Sequence, residues 1–336
     1  MSDPEPEPAN SRPAAPLLTP ADGDNDAALH GVLTALSRTL TSIGDAWSLL
    51  LLREAFLGNQ TFDSLQKALG IPRQTLQQRL TRLCASQILQ RVPYQERPRR
   101  YRYQLTADGR ALHVFALAIW RWQTRWYSDN RALPAELMHD DCGRRFFPDF
   151  RCRNCGDIIQ WTDVAADGPA KASKFRRPSG RNPRWIGNTK NRAALPAALL
   201  SPGTYILGDQ WSCLIIAASF FGVCHFDRFV DTLTISTNIL STRLAALQEA
   251  GMFMAPAYDP VRRVFDYRQT EKCRSFLPVL VSLLEWGRTR RGSEAGAQAR
   301  LRHTACGAPL AITASCNACD LALGPTSVQF RHHKKV

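Results

Sequence analysis

The sequence predicts a mainly α-helical protein with a small β component, built from two copies of one unit. Gly44-Asp45-Ala46-Trp47-Ser48 recurs 164 residues later as Gly208-Asp209-Gln210-Trp211-Ser212. At this offset 21 of the 79 positions from Gly44 to Trp122 are identical. Each copy shows several helical patterns, one short hairpin pattern and a closing helix. Because the offset is far longer than a solenoid repeat, the chain is a duplication and not an array.

The first copy begins with helical patterns. Apolar residues at helical spacing predict helices over Leu29–Thr41 and Trp47–Leu57, and Gly58 ends the second. Thr61 is placed to cap a third helix. After the turn Gly70-Ile71-Pro72, a fourth helix follows that buries a stripe of three leucines, which are Leu76, Leu80 and Leu83.

A hairpin and a long helix complete the first copy. Ile88–Tyr94 and Arg100–Leu105 are predicted to be its two strands. Thr106 then caps a closing helix with an apolar side that includes Phe115, Trp120 and Trp126. This order of elements predicts a winged helix-turn-helix domain at residues 29–130, and its copy at residues 193–294.

The rest of the chain divides by composition. Residues 1–28 are acidic and rich in proline, which predicts disorder. Residues 165–192 carry eight Lys or Arg against one acid, as expected of a flexible basic linker. Residues 131–164 and 295–336 each contain a Cys/His cluster. Each cluster predicts a small zinc-ribbon-like element, and the second of these segments ends in a basic tail.

The two larger domains resemble the HxlR-type family of bacterial winged helix-turn-helix regulators. The resemblance rests on Ile43–Leu50 at the second helix, Phe62-Asp63-x-Leu65 in the third, Leu76–Leu80 in the fourth and Tyr101–Gly109 in the wing. It covers about 100 residues of each half. The resemblance implies a DNA-binding transcriptional regulator that dimerises through helices flanking the wing. The second copy departs from the pattern, with His225 at the position of Thr61 and Cys273 at that of Gly109.

The charge balance points to a polyanionic partner. Lys and Arg number 43 against 29 Asp and Glu, a net charge of +14. Double-stranded DNA is therefore the expected partner, before a membrane surface. No apolar run approaches the length of a membrane span, and the N-terminus lacks a signal-peptide pattern. We expect a cytoplasmic protein in which the ten cysteines are metal ligands or thiols and not disulfides.

In the first copy the fourth helix and the wing are the candidate DNA-reading elements. If the leucine stripe faces the core, the Arg and Gln side chains of this helix face outward. In the major groove, Arg can form two hydrogen bonds to guanine and Gln can form two to adenine. Wing arginines suit phosphate or minor-groove contacts. An amphipathic helix also carries such residues simply to solvate its outer face. The candidates are Arg73, Gln74, Gln77, Gln78, Arg82, Arg97, Arg99 and Arg100.

The second copy carries less charge. Residues 44–130 hold 13 basic and 6 acidic residues, whereas residues 208–294 hold 10 and 9. We favour the interpretation that it binds DNA more weakly than the first copy and forms a pseudo-dimer with it inside one chain. The alternative is that it mainly supplies the surface that pairs with the first copy, or a pocket for an effector. Ser236 is a suitable N-cap for its fourth helix. Its candidate DNA contacts are Thr237, Asn238, Ser241, Thr242, Arg262 and Arg263.

Two clusters have the composition of a Cys3His zinc site. His139, Cys142, Cys152 and Cys155 recur at unchanged spacing as His303, Cys306, Cys316 and Cys319. Three thiolates and one imidazole are a common closed tetrahedral set for structural Zn²⁺. Each element is too small to fold around an apolar core alone, which favours a stabilising metal. The sequence thus predicts two structural zinc ions, with each half supplying all four ligands of one.

Other interpretations of these clusters stay open. The cysteines could form a thiol-redox or metal-responsive sensor that releases DNA, or be free thiols without metal. Four protein ligands leave no open position for catalysis, and no Walker loop, Gly-x-Gly-x-x-Gly or His-Glu-x-x-His occurs. We therefore predict that the chain is not an enzyme. The remaining cysteines, Cys84, Cys213, Cys224 and Cys273, have no counterparts in the repeat.

The duplication also predicts an architecture. The closing helices are apolar on one side, so the halves are expected to pack together within one chain as a pseudo-dimer. A homodimer of whole chains is the alternative, and the sequence does not indicate an effector.

The pairs shared by both copies, Asp45 with Arg79 and Asp209 with Arg243, flank the buried stripe. They could form internal ion pairs or contact phosphates.

Overall fold

The computed structural model describes residues 24–43, 45–127, 133–167, 175, 202–254, 257–259, 264–290 and 300–331. Within these residues no helix is both long and apolar enough to span a lipid bilayer. The helices of the first half are α1 (Asp24–Ile43), α2 (Ala46–Phe56), α3 (Phe62–Leu69), α4 (Arg73–Ala85), α5 (Ala107–Arg110) and α6 (His113–Trp126). Its wing consists of β1 (Leu89–Gln95) and β2 (Arg100–Leu105), which pair antiparallel.

The second half repeats this order. Its helices are α7 (Pro202–Leu207), α8 (Gln210–Phe220), α9 (Phe226–Leu233), α10 (Thr237–Glu249), α11 (Glu271–Arg274) and α12 (Leu277–Arg290). Strands β7 (Ala257–Asp259) and β8 (Val264–Asp266) pair antiparallel as the second wing. The predicted helices and hairpin strands of the first half are therefore present, with small shifts at their ends, except that the closing helix expected after Thr106 is divided into α5 and α6.

Short strands follow each winged helix. They are β3 (Glu136–His139), β4 (Arg145–Phe146), β5 (Pro148–Cys152) and β6 (Val164–Asp167) in the first half, and β9 (Arg300–His303), β10 (Ile312–Cys316) and β11 (Val328–Arg331) in the second. A single 3-10 turn, Trp161–Asp163, precedes β6.

Every described sheet among these strands joins the two halves. Strand β11 pairs with β3, and β6 pairs with β9 in the equivalent arrangement. Strands β5 and β10 pair antiparallel, with Phe150 opposite its own repeat equivalent Ala314. The strands of the two halves thus form one interlocked unit, which we call the ribbon. The expectation of two separate zinc-ribbon-like elements, one within each half, is wrong in this respect.

Two predicted boundaries also differ from the structure. Helix α1 begins at Asp24, so residues 24–28 are helical and not part of a disordered segment. Residues 165–167, expected to open the linker, are in β6 because the hydrogen-bonding partner of that strand lies in the second half. Local patterns in the sequence do not reveal such a distant partner. Residues 1–23, and the expected linker after 167 apart from Phe175, lie outside the described residues.

The two halves pack against each other through helices. Helix α1 contacts α8 and α12, α6 contacts α7 and α12, and α7 contacts α2. Buried apolar side chains of both halves belong to one continuous core. A polar contact crosses this interface, because Gln210 donates from Nε2 to the carbonyl oxygen of Ser37 at 3.0 Å and to its hydroxyl at 2.6 Å.

Two equivalent tryptophans, one in each half, each donate a hydrogen bond to the backbone of the other half. The Nε1 of Trp122 donates to the carbonyl oxygen of Lys272 at 2.9 Å, and that of Trp286 donates to the carbonyl oxygen of Asp108 at 2.8 Å. Trp286 and Lys272 are the repeat equivalents of Trp122 and Asp108. Reciprocal contacts of this kind are what a two-fold dimer interface contains. Here they are made within one chain.

Candidate nucleic-acid interface and metal centres

The shared Gly-Asp-x-Trp-Ser motif has a structural role. Asp45 caps α2 by accepting a hydrogen bond from the backbone N–H of Ser48 at 3.1 Å, and Asp209 does the same for Ser212 at 3.0 Å. Both carboxylates are buried. Asp45 also pairs with Arg79 at 2.9 Å, and Asp209 with Arg243 at 2.8 Å. Of the two roles left open for these arginines, the structure supports the internal ion pair.

The ion pair joins the start of α2 to α4, the expected DNA-reading helix. Leu76, Leu80 and Leu83 are fully buried on the inner side of α4, as the spacing predicts. Four of the candidate residues on the outer side are exposed, which are Arg73, Gln74, Gln77 and Gln78. The guanidinium of Arg73 lies 5.0 Å from the centre of the Phe62 ring of α3, a favourable cation–π contact.

Arg82 is positioned differently from the other candidates on α4. Its Nη1 lies 3.6 Å from a carboxylate oxygen of Asp45, and its Nη2 donates to the carbonyl oxygen of Thr41. The side chain is half-buried at the junction of α1 and α2. A DNA contact by Arg82 would require these bonds to break, so the structure argues against this residue. Helical spacing alone did not reveal that Asp45 lies within its reach.

The first wing presents a basic surface. Arg97, Arg99 and Arg100 are exposed at the tip of the hairpin. Behind them, the guanidinium of Arg91 lies 3.5 Å from the centre of the Tyr101 ring, and that of Arg102 lies 5.3 Å from the centre of the Tyr94 ring. Stacking on aromatic rings holds a guanidinium in place without neutralising its charge. The wing therefore offers ordered positive charges beside α4.

The second copy offers a smaller polar surface. Thr237, Asn238, Ser241 and Thr242 are all exposed on α10. Ser236 stands at the N-cap position, but its side chain makes no capping hydrogen bond, so the expected cap is wrong in that detail. The hydroxyl of Thr242 donates to the carbonyl oxygen of Asn238 at 2.8 Å. Arg262 and Arg263 lie outside the described residues.

The predicted metal ligands come together in two groups, but each group draws on both halves. One consists of His139, Cys142, Cys316 and Cys319, and the other of Cys152, Cys155, His303 and Cys306. The expected grouping within each half is therefore wrong, although the same eight residues make up the two groups. The reason is the β5–β10 pairing, which sets Cys152 opposite Ile312 and Cys316 opposite Pro148. Each Cys-x-x-Cys turn is thereby carried to the His-x-x-Cys turn of the other half.

The distances within each group suit a tetrahedral ion. In the first, Nδ1 of His139 lies 3.4 Å from the sulfur of Cys142 and 3.3 Å from that of Cys319. The sulfurs of Cys142 and Cys316 are 4.0 Å apart. In the second, Nδ1 of His303 lies 3.4 Å from each of two cysteine sulfurs, on Cys155 and Cys306. Around zinc with normal bond lengths, these separations would be about 3.6 Å for N to S and about 3.8 Å for S to S.

All four ligand turns share one backbone geometry. The residue after the second ligand of each turn has a positive φ, and its N–H donates to the carbonyl oxygen of the first ligand at 2.8 Å. Glycine occupies this position in three turns, where a left-handed conformation costs little. The fourth turn uses Asp320, with φ 60°. The residues concerned are Gly143, Gly156, Gly307 and Asp320.

The electrostatics favour a thiolate at one cysteine of each group, whereas burial raises the pKa of Cys316 to about 11. The backbone N–H of Arg144, followed by neighbouring side chains such as His139, lowers the pKa of Cys142 to about 7. The backbone N–H of Ala308 and the side chain of His303 lower the pKa of Cys306 to about 6. A thiolate is the form that binds a metal. Both histidines are fully buried, and Nε2 of His139 lies 3.2 Å from the carboxylate of Asp141.

A third group was not found from the sequence. Cys224, His225 and Asp266 bring three ligand-type atoms together at the start of α9, beside the second wing. The sequence does contain an indication of this group, because His225 replaces the capping Thr61 of the first copy and directly follows Cys224. Of the other cysteines without counterparts, Cys213 and Cys273 are buried, and burial raises the pKa of both thiols.

Comparison with known proteins bears on both halves. The family model of the HxlR-like helix-turn-helix matches residues 42–131 and 206–294. An uncharacterized HTH-type transcriptional regulator of Mycobacterium bovis is 36% identical over 142 residues, which are 42% of this chain and 90% of that protein. Another from Synechocystis is 33% identical over 97 residues, 29% of this chain and 72% of that protein.

A solved structure is similar in sequence as well. It is described as a transcription factor from Pseudomonas aeruginosa, with 29% identity over 42% of this chain and 97% of that one, at a TM-score of 0.29. The two family matches together cover more than half of the chain and coincide with the two winged helices. The chain therefore belongs to the HxlR-like helix-turn-helix family of DNA-binding transcriptional regulators and carries its domain twice.

Proposed function

We propose that this regulator works as a single-chain equivalent of a dimer, in which two structural zinc ions fasten the halves together. The crossed ligand groups carry this proposal, because each group in the structure takes two of its four residues from each half. A metal bound to both halves limits their relative movement, in addition to the helical interface. Two winged helices held in one orientation can address two half-sites on DNA together.

The DNA surface is proposed to consist of α4 and the first wing, with α10 as a second and weaker reader. Support comes from the exposed Arg and Gln side chains of α4 and the three arginines at the tip of the wing. On α10 the corresponding side chains are neutral. The first half would then supply most of the phosphate attraction, and both halves would contact bases.

Salt dependence tests the wing. Replacing Arg97, Arg99 and Arg100 with alanine removes three charges, and we expect weaker binding to every sequence. The slope of log K against log salt should fall by up to about 2.7, or 0.9 for each phosphate that is no longer neutralised. As the control, alanine at Arg144, Arg300 and Arg302 removes three exposed charges from the ribbon. An unchanged slope in the wing variant would remove the first wing from the interface.

Zinc counting in double variants tests the crossed sites. The protein, purified under reducing conditions, should hold two zinc ions per chain. Cys142→Ser with Cys316→Ser damages one crossed group and should lose one ion. Cys142→Ser with Cys152→Ser damages both groups and should lose two. If each half held its own ion, the two results would be exchanged, so elemental analysis of this pair decides the grouping.

A thiol-responsive role is the second candidate. It is favoured by the sulfurs of Cys142 and Cys316, which lie 4.0 Å apart and belong to opposite halves. Oxidation after metal loss could link the halves covalently. Measuring DNA affinity after mild oxidation, with zinc release followed in parallel, separates the roles. Zinc retained with unchanged affinity means a structural site, whereas zinc release with weakened DNA binding that a reductant restores means a sensor.

A further inference from the structure

A cavity lies between α2 and α6 in the first half. It measures about 80 Å³ and is lined mainly by apolar side chains, among them Leu50, Phe56, Phe115 and Trp120. Leu207 of α7 and Phe330 of β11 close it from the second half. One water occupies roughly 10–15 Å³ of such space, so the cavity has room for a small ring.

The equivalent place in the second half is smaller. A cavity of about 20 Å³ there is lined by Ala217, Phe220, Phe221, Leu280 and Leu284, the repeat equivalents of Arg53, Phe56, Leu57, Ala116 and Trp120. Leu280 and Phe221 are larger than their counterparts Ala116 and Leu57, whereas Ala217 and Leu284 are smaller than Arg53 and Trp120. Val32 of α1 and Trp161 also reach this second place. The second place is therefore smaller than the first among the described residues; position 196, the repeat equivalent of Val32, lies outside them.

The open cavity also has a polar group that its counterpart lacks. Arg53 lines it, and its Nε and Nη2 donate to a carboxylate oxygen of Glu54 at 3.0 and 2.8 Å. Its Nη1 is buried and has no hydrogen-bond partner among the described residues. A buried guanidinium N–H without an acceptor is costly. Ala217 and Ala218 replace the Arg53–Glu54 pair in the second half.

We propose that this cavity is a binding site for a small, flat, apolar ring compound that carries one hydrogen-bond acceptor. The apolar walls receive the ring, and Nη1 of Arg53 donates to the acceptor. The site contains no DNA candidate and no metal ligand, so it is independent of the function proposed above. Its position between both halves makes it the place where a small molecule would touch the two winged-helix units at once.

Benzene and pyridine test the site as a matched pair of probes. They have the same shape, and only pyridine, kept unprotonated, offers an acceptor. In the zinc-loaded protein with labelled methyl groups, we expect both to shift the signals of cavity leucines saturably. Ala116→Leu introduces the residue of the second half and should weaken both affinities at least tenfold. Ala85→Leu, the same change at an exposed position, should leave them unchanged.

Arg53 is tested by the ratio of the two affinities. Arg53→Met keeps the length of the side chain but removes its donors, and we expect the pyridine-to-benzene affinity ratio to fall about tenfold. An unchanged ratio overturns the role of Arg53. Wild-type binding without saturation, or binding by Ala116→Leu at wild-type affinity, overturns the site itself. If Ala116→Leu does not fold, crystals of the wild type soaked with iodobenzene give the answer. An anomalous peak between α2 and α6 supports the site, and peaks only elsewhere reject it.

Discussion

At the scale of single residues, one aspartate in each half both caps a helix and forms a buried ion pair. Asp45 and Asp209 cap the second helix of their winged helices and also pair with an arginine from the reading helix. A carboxylate in this position fixes the angle between two helices as well as the start of one. Its reappearance at the same place in both halves is explained by folding, without a contact to DNA.

Removing one of these carboxylates should destabilise the fold strongly. Asp209→Ala removes the buried carboxylate that pairs with Arg243, and only 8% of that arginine is exposed. We expect the free energy of unfolding to drop by about 3–5 kcal/mol in chemical denaturation. Asp227→Ala removes an exposed carboxylate from the first turn of α9 and should cost much less. Equal losses in the two variants would mean that the buried pair contributes little.

At the scale of elements, the buried leucines of α4 determine which of its other side chains are exposed. The three leucines face the core, and the helical period then dictates which side chains face outward. Gln77 and Gln78 lie in the middle of that outer face and are exposed. They are suited to reading bases, whereas the arginines of the wing are suited to phosphates.

Gln77→Ala should change sequence preference more than affinity in general. Removing a bidentate bond to adenine is expected to cost about 1–3 kcal/mol on the best site and to relax the preference at one base pair. Selection of binding sites with the variant measures this. Gln90→Ala, an exposed change in β1, is the control. An identical selected site for wild type and Gln77→Ala would exclude Gln77 from base reading.

At the scale of the whole molecule, the halves behave as the two subunits of a symmetric dimer joined in one chain. The tryptophan bonds are reciprocal, and β5 and β10 pair about a point where equivalent residues face each other. The outer surfaces do not share this symmetry. Arginine and glutamine on α4 correspond to threonine, asparagine and serine on α10.

We therefore expect one chain on an asymmetric site. Sedimentation of the complex should show one protein chain per duplex, and site selection should yield two unequal half-sites about one helical turn, roughly 34–36 Å, apart. The chemistry of the two outer faces differs, so a palindrome is not expected. Two chains bound to a palindrome would mean that the first winged helix pairs between chains, and the single-chain model would be wrong.

Much of this molecule could be predicted from local patterns. Leucines at helical spacing located α4, and Thr61 caps the helix that it was expected to cap. Thr106 caps the short helix α5 and not, as expected, the long closing helix α6. The exposed DNA candidates on α4 followed from the same period. Arg82 did not, because its position depends on Asp45, a neighbour in space at a distant place in the sequence.

The sequence by itself determined the duplication, the two winged helices and the eight candidate metal ligands. It could not determine which ligands share an ion. Two His-x-x-Cys turns and two Cys-x-x-Cys turns of equal spacing can be combined within the halves or across them, with the same atoms around each metal. Only the pairing of β5 with β10 decides between the two, because it carries each Cys-x-x-Cys turn to the opposite half. That choice depends on packing between the halves, which local spacing does not encode.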